Sequence, residues 1–139
     1  KRAGDASGTG GNALAHKHVL VAEDNALNAE VITAILNIHD ATCEVAANGE
    51  EAVAKFGMSA PGTFDMIFMD VQMPVMNGHD AARAIRTMDR PDAGTIPIIA
   101  MTANAFAEDE RQALACGMNA HVAKPIDVHA LERVVAELS

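Results

Sequence analysis

The sequence predicts an α/β fold, a doubly wound five-stranded parallel sheet in the order 2-1-3-4-5 with five helices covering both faces. Three observations lead there. Short runs such as HVLVA at 18–22, MIFM at 66–69 and PIIAM at 97–101 are almost continuously apolar, as strands buried on both faces must be. Longer stretches between them carry apolar residues at helical spacing, so strand and helix alternate along the chain. The chain has 139 residues, half of them hydrophobic, which is enough for one core and too few for two ordinary domains.

Residues 1–17 are rich in Gly, Ala, Ser and polar side chains and follow neither period, so they read as a flexible linker from a longer protein, with 18–139 as the folded domain. Gly8-Thr9-Gly10-Gly11 is no phosphate loop, because no strand precedes it. The first strand, His18 to Ala22, ends in Glu23-Asp24-Asn25. Asn25 can cap the helix that follows, in which Leu27, Val31, Ala34, Ile35 and Ile38 recur at the spacing of one face. TCEVA at 42–46 is the second strand, and Asn48 with Glu51 has capping-box spacing for a helix running to about Ser59. Pro61-Gly62 breaks it before the central strand at 66–69.

A third helix is expected from about Gly78 to Met88, a loop over 90–95, and a fourth strand at 97–101 ending in Thr102. The fourth helix opens at Asn104 or Ala105 and stops at Gly117. A short strand at 120–123 ends in Lys124-Pro125, and Asp127 can cap a last helix carrying Val128, Leu131, Val134, Val135 and Leu138 on one face. Right-handed crossovers then give the order stated above.

Composition narrows the function. A net charge of −9 argues against a nucleic-acid backbone as partner. No apolar run approaches the roughly 18 residues that a membrane span needs, so no membrane contact by this chain is expected. Cys43 and Cys116 lack metal-type spacing and read as free thiols of a reducing, cytoplasmic compartment, whether or not a parent protein is membrane-anchored. The aromatic content is 3%, so aliphatic residues and eight Met must fill the core; Met69, Met73 and Met76 read as filling. His16, His18, His39, His79 and His129 are scattered and take surface or packing roles.

The stretch MIFMDVQMPVMNG at 66–78 places Asp70 directly after the central apolar run. Alone, Asp70 could begin a turn or occupy the sheet's carboxyl edge, where open α/β sheets bind ligands. Its companions decide. Glu23 and Asp24, Asp70, Thr102 and Lys124 follow four different strands that all point the same way, so the fold gathers them at one edge. Two carboxylates about 4 Å apart repel by roughly 4 kcal/mol at an effective dielectric near 20. Lys124 supplies one positive charge, which leaves room for a divalent cation. An all-oxygen donor set suits Mg²⁺ best, with Ca²⁺ open as an alternative and Zn²⁺ disfavoured by the lack of His or Cys. A metal, a hydroxyl and a lysine around one carboxylate are equipment for phosphoryl transfer, with Asp70 as nucleophile.

In the segments VLVAEDNALNAEV, AANGEEAV, FDMIFMDVQMPVMNGHDAARAIR, PIIAMTANA and GMNAHVAKPI, the chain closely resembles the receiver domain of two-component response regulators, a flavodoxin-like fold. DVQMPVMNG and MTANA look most like receivers of hybrid sensor histidine kinases. The resemblance implies that Asp70 accepts a phosphoryl group from a phosphohistidine on a histidine kinase or phosphotransfer domain, and that the domain catalyses its own phosphorylation. It implies Mg²⁺ held by Asp24, Asp70 and the backbone carbonyl of Gln72, with Glu23 acting through water. Thr102 and Lys124 would grip phosphoryl oxygens, Lys124-Pro125 would be a cis peptide, and Gln72 and Asn104 would tune hydrolytic water.

Two departures stand out. Glu23 replaces the commoner Asp, which lengthens its reach and keeps its charge. His121 stands where the family places the Tyr or Phe that swings inward with Thr102, which makes that switch pH-sensitive. A haloacid-dehalogenase-type phosphatase would need a second Asp two residues past the first, where this chain has Gln72. A stand-alone response regulator and a docking receiver that is not phosphorylated remain open. No DNA-binding segment follows Ser139, so an output domain is expected elsewhere.

Overall fold

In the computed structural model, residues 14–102, 107–123 and 128–138 are described. The elements alternate as β1 (His18–Ala22), α1 (Ala26–Ile38), β2 (Thr42–Ala46), α2 (Gly49–Met58), β3 (Met66–Asp70), α3 (Gly78–Arg86), β4 (Ile98–Thr102), α4 (Ala107–Ala115), β5 (Ala120–Ala123) and α5 (Val128–Leu138). All strands pair in parallel in the order β2-β1-β3-β4-β5, as predicted. No helix among the described residues is long and apolar enough to cross a membrane.

Strand periodicity splits the core into two layers. Leu20, Ala22, Ile67, Met69, Ile98 and Ala100 point to one face, where Ala52 and Phe56 of α2, Ala81, Ala82 and Ile85 of α3, and Ala113 of α4 cover them. Val19, Val21, Met66, Phe68, Ile99 and Met101 point to the other, under Ile32 and Leu36 of α1 and Leu131 and Val135 of α5. β3 and β4 are buried along their whole length, which is why both read as unbroken apolar runs.

Predicted helix signals work locally. Asn25 accepts the amides of Leu27 and Asn28, and Asn48 accepts that of Glu51, whose carboxylate reaches back to the Ala47 amide. Gly117, at φ 96°, takes the left-handed turn that ends α4, with the Met118 amide bonded to Ala113 O. α3 stops at Arg86, with Thr87 as its C-cap, two residues before the expected Met88. The expected opening of the fourth helix at Asn104 or Ala105, the cap Asp127 and the Lys124-Pro125 bond lie outside the described residues.

Two differences from the sequence reading bear on function. In α1 the residues turned into the core are Ala29, Ile32 and Leu36. The stripe read from the sequence faces outward instead, with Leu27 66%, Val31 44% and Ile38 76% exposed, while Ile35 packs on the core's margin. α1 is apolar on two sides, and the sheet can cover only one. At the amino end, Leu14 is fully buried with Val19 and Leu36, and the His16 amide bonds Asp40 O. Packing therefore reaches at least four residues ahead of His18, inside the stretch read as linker.

The amino edge of the sheet is held by two arginines. Arg90 bonds Asp92 (Nε to Oδ1 2.6 Å), donates to the Phe56 carbonyl at the end of α2, and lies over the Phe56 ring at 4.2 Å. Arg86 donates to the carbonyls of Gly117 (2.8 Å) and Ala93 (3.0 Å) and to Asn119 Oδ1 (2.8 Å), tying α3 to the turn before β5. Burial lowers the Arg86 pKa from its ordinary value, and the guanidinium stays charged.

Candidate functional site

The opposite, carboxyl edge collects the acidic residues. The β1–β2 ladder continues one step past the strand through the Glu23 amide and Ala46 O at 2.9 Å, which fixes where Glu23 leaves the sheet. Glu23 is only 2% exposed, and its Oε2 accepts the Asn25 amide at 3.1 Å, so a residue two places before the α1 cap is itself positioned by that cap. Asp24 beside it is exposed.

Asp70 is the last residue of β3 and is also 2% exposed. The next amide, Val71, bonds Met101 O at 3.0 Å and holds the strand end against β4. Asp70 Oδ1 accepts the Gln72 amide at 3.1 Å. Asp70 therefore opens a turn and also stands at the sheet's carboxyl edge. Carboxylate oxygens of Glu23, Asp24 and Asp70 all lie within 4.8 Å of one another.

Such a group stores repulsion. At about 4 Å and an effective dielectric near 20 each pair costs roughly 4 kcal/mol, less where Asp24 is screened by water. The donor set is entirely oxygen, with two buried members and one open to solvent, which fits a hard divalent cation that keeps some of its waters. Thr102 ends β4 with 8% exposure, one residue beyond Met101, the register partner of Asp70. Thr102 in turn pairs with Ala123 of β5, immediately before Lys124. Lys124 itself, Pro125 and Asn104 lie outside the described residues. Gln72 is exposed, two residues past Asp70. His121 is half-buried and sits opposite Ala100, on the face of the sheet that carries α2, α3 and α4.

Two residues that the sequence reading passed over shape the loop after Asp70. Gly49 and Gly78 open α2 and α3, each directly after a capping Asn, and both are buried. The Gly78 amide bonds Val71 O at 3.0 Å, and a Cβ there would lie 2.3 Å from Asp70 O. The Gly49 amide bonds Met76 O at 3.0 Å. A glycine in the first turn of a helix, where almost any residue is the better helix former, is the signal that could have found them.

A family model described as the response regulator receiver domain matches residues 19–136. The hybrid signal transduction histidine kinase I of Dictyostelium discoideum is 35% identical over 127 residues, 90% of this chain and 7% of that protein. The osmolarity two-component system protein SSK1 of Saccharomyces cerevisiae is 31% identical over 144 residues, 86% of this chain and 20% of that protein. The chain thus spans a small part of the curated relatives it matches.

Among solved structures, the receiver domain of the sensor histidine kinase PA1611 from Pseudomonas aeruginosa has 35% identity and a TM-score of 0.78, covering 89% of this chain and 98% of that one. In that structure a magnesium ion is coordinated in the active-site cleft. The Ssk1 receiver, co-crystallised with the S. cerevisiae histidine phosphotransfer protein Ypd1, has 32% identity and a TM-score of 0.77, covering 89% of each chain. With the sheet order, the edge carboxylates and these matches in agreement, the chain belongs to the response regulator receiver domain family.

Proposed function

We propose that this chain is a phosphoryl-accepting switch in a two-component phosphorelay, carried by a hybrid histidine kinase in the cytoplasm. The observation that carries the reading is the convergence of Glu23, Asp24 and Asp70 within 4.8 Å at the sheet edge, beside Thr102. An Asp70 carboxylate oxygen attacks the phosphorus of a phosphohistidine on a histidine kinase or phosphotransfer domain. The phosphorus–nitrogen bond breaks, and the imidazole nitrogen leaves with its electron pair and takes up a proton. Asp24, Asp70 and the Gln72 carbonyl would hold Mg²⁺ directly and Glu23 through water, and the ion supplies positive charge against the phosphoryl oxygens. Thr102 donates a hydrogen bond to those oxygens, Lys124 pairs with them, and Gln72 and Asn104 control the approach of hydrolytic water. Glu23 and Asp70 need no reorganisation to meet the incoming group, because the Asn25 and Gln72 amides already orient them.

The outward stripe of α1, Leu27, Val31 and Ile38, starts next to Asp24 and gives the partner an apolar surface beside the acceptor. The hybrid-kinase context is supported by the slime-mould and Pseudomonas relatives, and the partner class by the Ypd1 complex of the Ssk1 receiver. Cys43 and Cys116 as free thiols agree with a reducing location. The proposed division is a linker over 1–17 and a receiver domain over 18–139, with Leu14 of the linker stretch packed into the receiver core. Phosphorylation draws Thr102 inward, and His121 follows it less completely than the apolar ring of a Phe or the larger ring of a Tyr would.

Acetyl phosphate with Mg²⁺ tests the acceptor. The wild type takes up one phosphoryl group, and Asp70→Asn loses at least about 100-fold in labelling rate, as expected for removal of a covalent nucleophile. Equal labelling of the variant would reject Asp70.

A further inference from the structure

The acidic cluster is completed from behind by a contact that does not touch it. The loop 71–77 carries both Asp70's partner amide, on Gln72, and the carbonyl proposed for the metal, and it returns to α3 at Gly78. Its far side is pinned to another helix, through the Gly49 amide and Met76 O at 3.0 Å. At the tip, Val75 sits at φ 70°, a conformation that a β-branched residue rarely adopts, and the Met76 amide closes a tight turn on Pro74 O at 2.7 Å. Val75 is 75% exposed, so no packing of its side chain explains the strain. The pin on Met76 is what holds the loop there.

The geometry points to Gly49 as a positioning residue for the Asp70 site, setting the place of Gln72 and hence the metal affinity through the Gly49–Met76 contact. This rests on the receiver reading, in which Asp70 and the Gln72 carbonyl hold Mg²⁺. A Cβ at 49 would stand 2.3 Å from Met76 O, 2.9 Å from Met76 C and 3.0 Å from Asn77 O. The obstacle is backbone, which cannot rotate aside as a side chain would, so a methyl group must push the 72–76 segment away from α2. Gly78 is less informative, because a Cβ there strikes Asp70 O directly and moves the strand end itself. Gly94 is the control: it has no neighbour within 4 Å of its Cβ position and no positive φ.

Gly49→Ala and Gly94→Ala in the full chain separate positioning from folding. Alanine is the better helix former, so any loss at 49 comes from the contact. Calorimetric Mg²⁺ titration, at a temperature where both variants are fully folded by circular dichroism, is expected to show about 10-fold weaker binding for Gly49→Ala, the scale of outer-shell effects at metal sites. Gly94→Ala is expected to match the wild type. Coupling is reciprocal, so saturating Mg²⁺ must also slow hydrogen exchange of the Gly49 amide in the wild type, a readout that stands if Gly49→Ala fails to fold. Unchanged Mg²⁺ affinity in a folded Gly49→Ala, or Gly49 exchange indifferent to Mg²⁺ while Gln72 responds, overturns the inference alone. A wild type that neither binds Mg²⁺ nor takes a phosphoryl group overturns the receiver reading, and the inference with it.

Discussion

The two edges of the sheet treat charge in opposite ways. At the amino edge Arg90 meets Asp92, Arg86 is surrounded by carbonyls of Gly117 and Ala93, and His18 lies between Thr42 Oγ1 and Glu44 while stacking on Phe64. Arg86, Arg90 and Asp92 each have internal partners there, and the result joins elements far apart in sequence. At the carboxyl edge three carboxylates crowd within 4.8 Å. At one edge the charges tie elements of the fold together, and at the other like charges are gathered at the site proposed for the metal. The same residue types therefore predict opposite responses to mutation.

The largest effect belongs to the amino edge. Arg90→Ala removes the partner of Asp92, the donor to the Phe56 carbonyl and the cation over the Phe56 ring. A loss on the order of 3 kcal/mol is expected, roughly 10 °C in midpoint for a domain of this size. Thermal unfolding measures it, and Mg²⁺ affinity at a temperature where the variant is folded should be unchanged. A matching fall in metal affinity would mean that the two edges are coupled and the contrast is wrong.

The carboxyl edge should behave in reverse. Mg²⁺ at about 100 times its dissociation constant is expected to stabilise the wild type by about 2.7 kcal/mol. Asp70→Asn should lose most of that gain and, without metal, unfold at a higher temperature than the wild type by the equivalent of about 1–2 kcal/mol, because one of three repelling charges has gone. Asparagine Oδ1 still accepts the Gln72 amide, so the turn survives. A metal-free Asp70→Asn less stable than the wild type would show that the cluster is internally compensated.

Sheet order, strand positions and the gathering of carboxylates at one edge were readable because buried parallel strands have no choice but to be apolar, and because polar residues at their carboxyl ends interrupt that pattern. Asp70 and Thr102 stand out for that reason. The buried side of α1 was not readable. Leu27, Val31 and Ile38 make as good a helical stripe as Ala29, Ile32 and Leu36, and periodicity cannot say which stripe meets the sheet. The excess apolar stripe was the trace of a surface, and only the fold reveals it as one. Gly49 showed only as an odd glycine in a first helical turn, because its contact with Met76 is made by the packing of α2 on α3. Lys124 was read from its place after the fifth strand, whereas Asn104 takes its assignment from the family resemblance alone.

The smallest effect tests whether the amino edge is bound by charge rather than by shape. Asp92 has its pKa lowered from the ordinary carboxylate value, first by the Arg90 hydrogen bond and then, against the opposing effect of burial, by the Gly62 amide at 3.0 Å and the Arg90 charge. A lowered native pKa means that the unfolded state binds the proton more readily. The stabilisation is therefore complete above the unfolded value near about 3.9 and is lost as pH falls through the lower native value. Asp92→Asn keeps the Arg90 and Gly62 contacts to one oxygen but cannot titrate. Its stability at neutral pH should fall by about 1 kcal/mol, and its curve below about pH 4 should be flatter than the wild type's. Chemical denaturation from pH 7 to pH 2.5 reads both quantities. Parallel curves for the two proteins would assign the Arg90 anchor to its packing on Phe56 rather than to its charge.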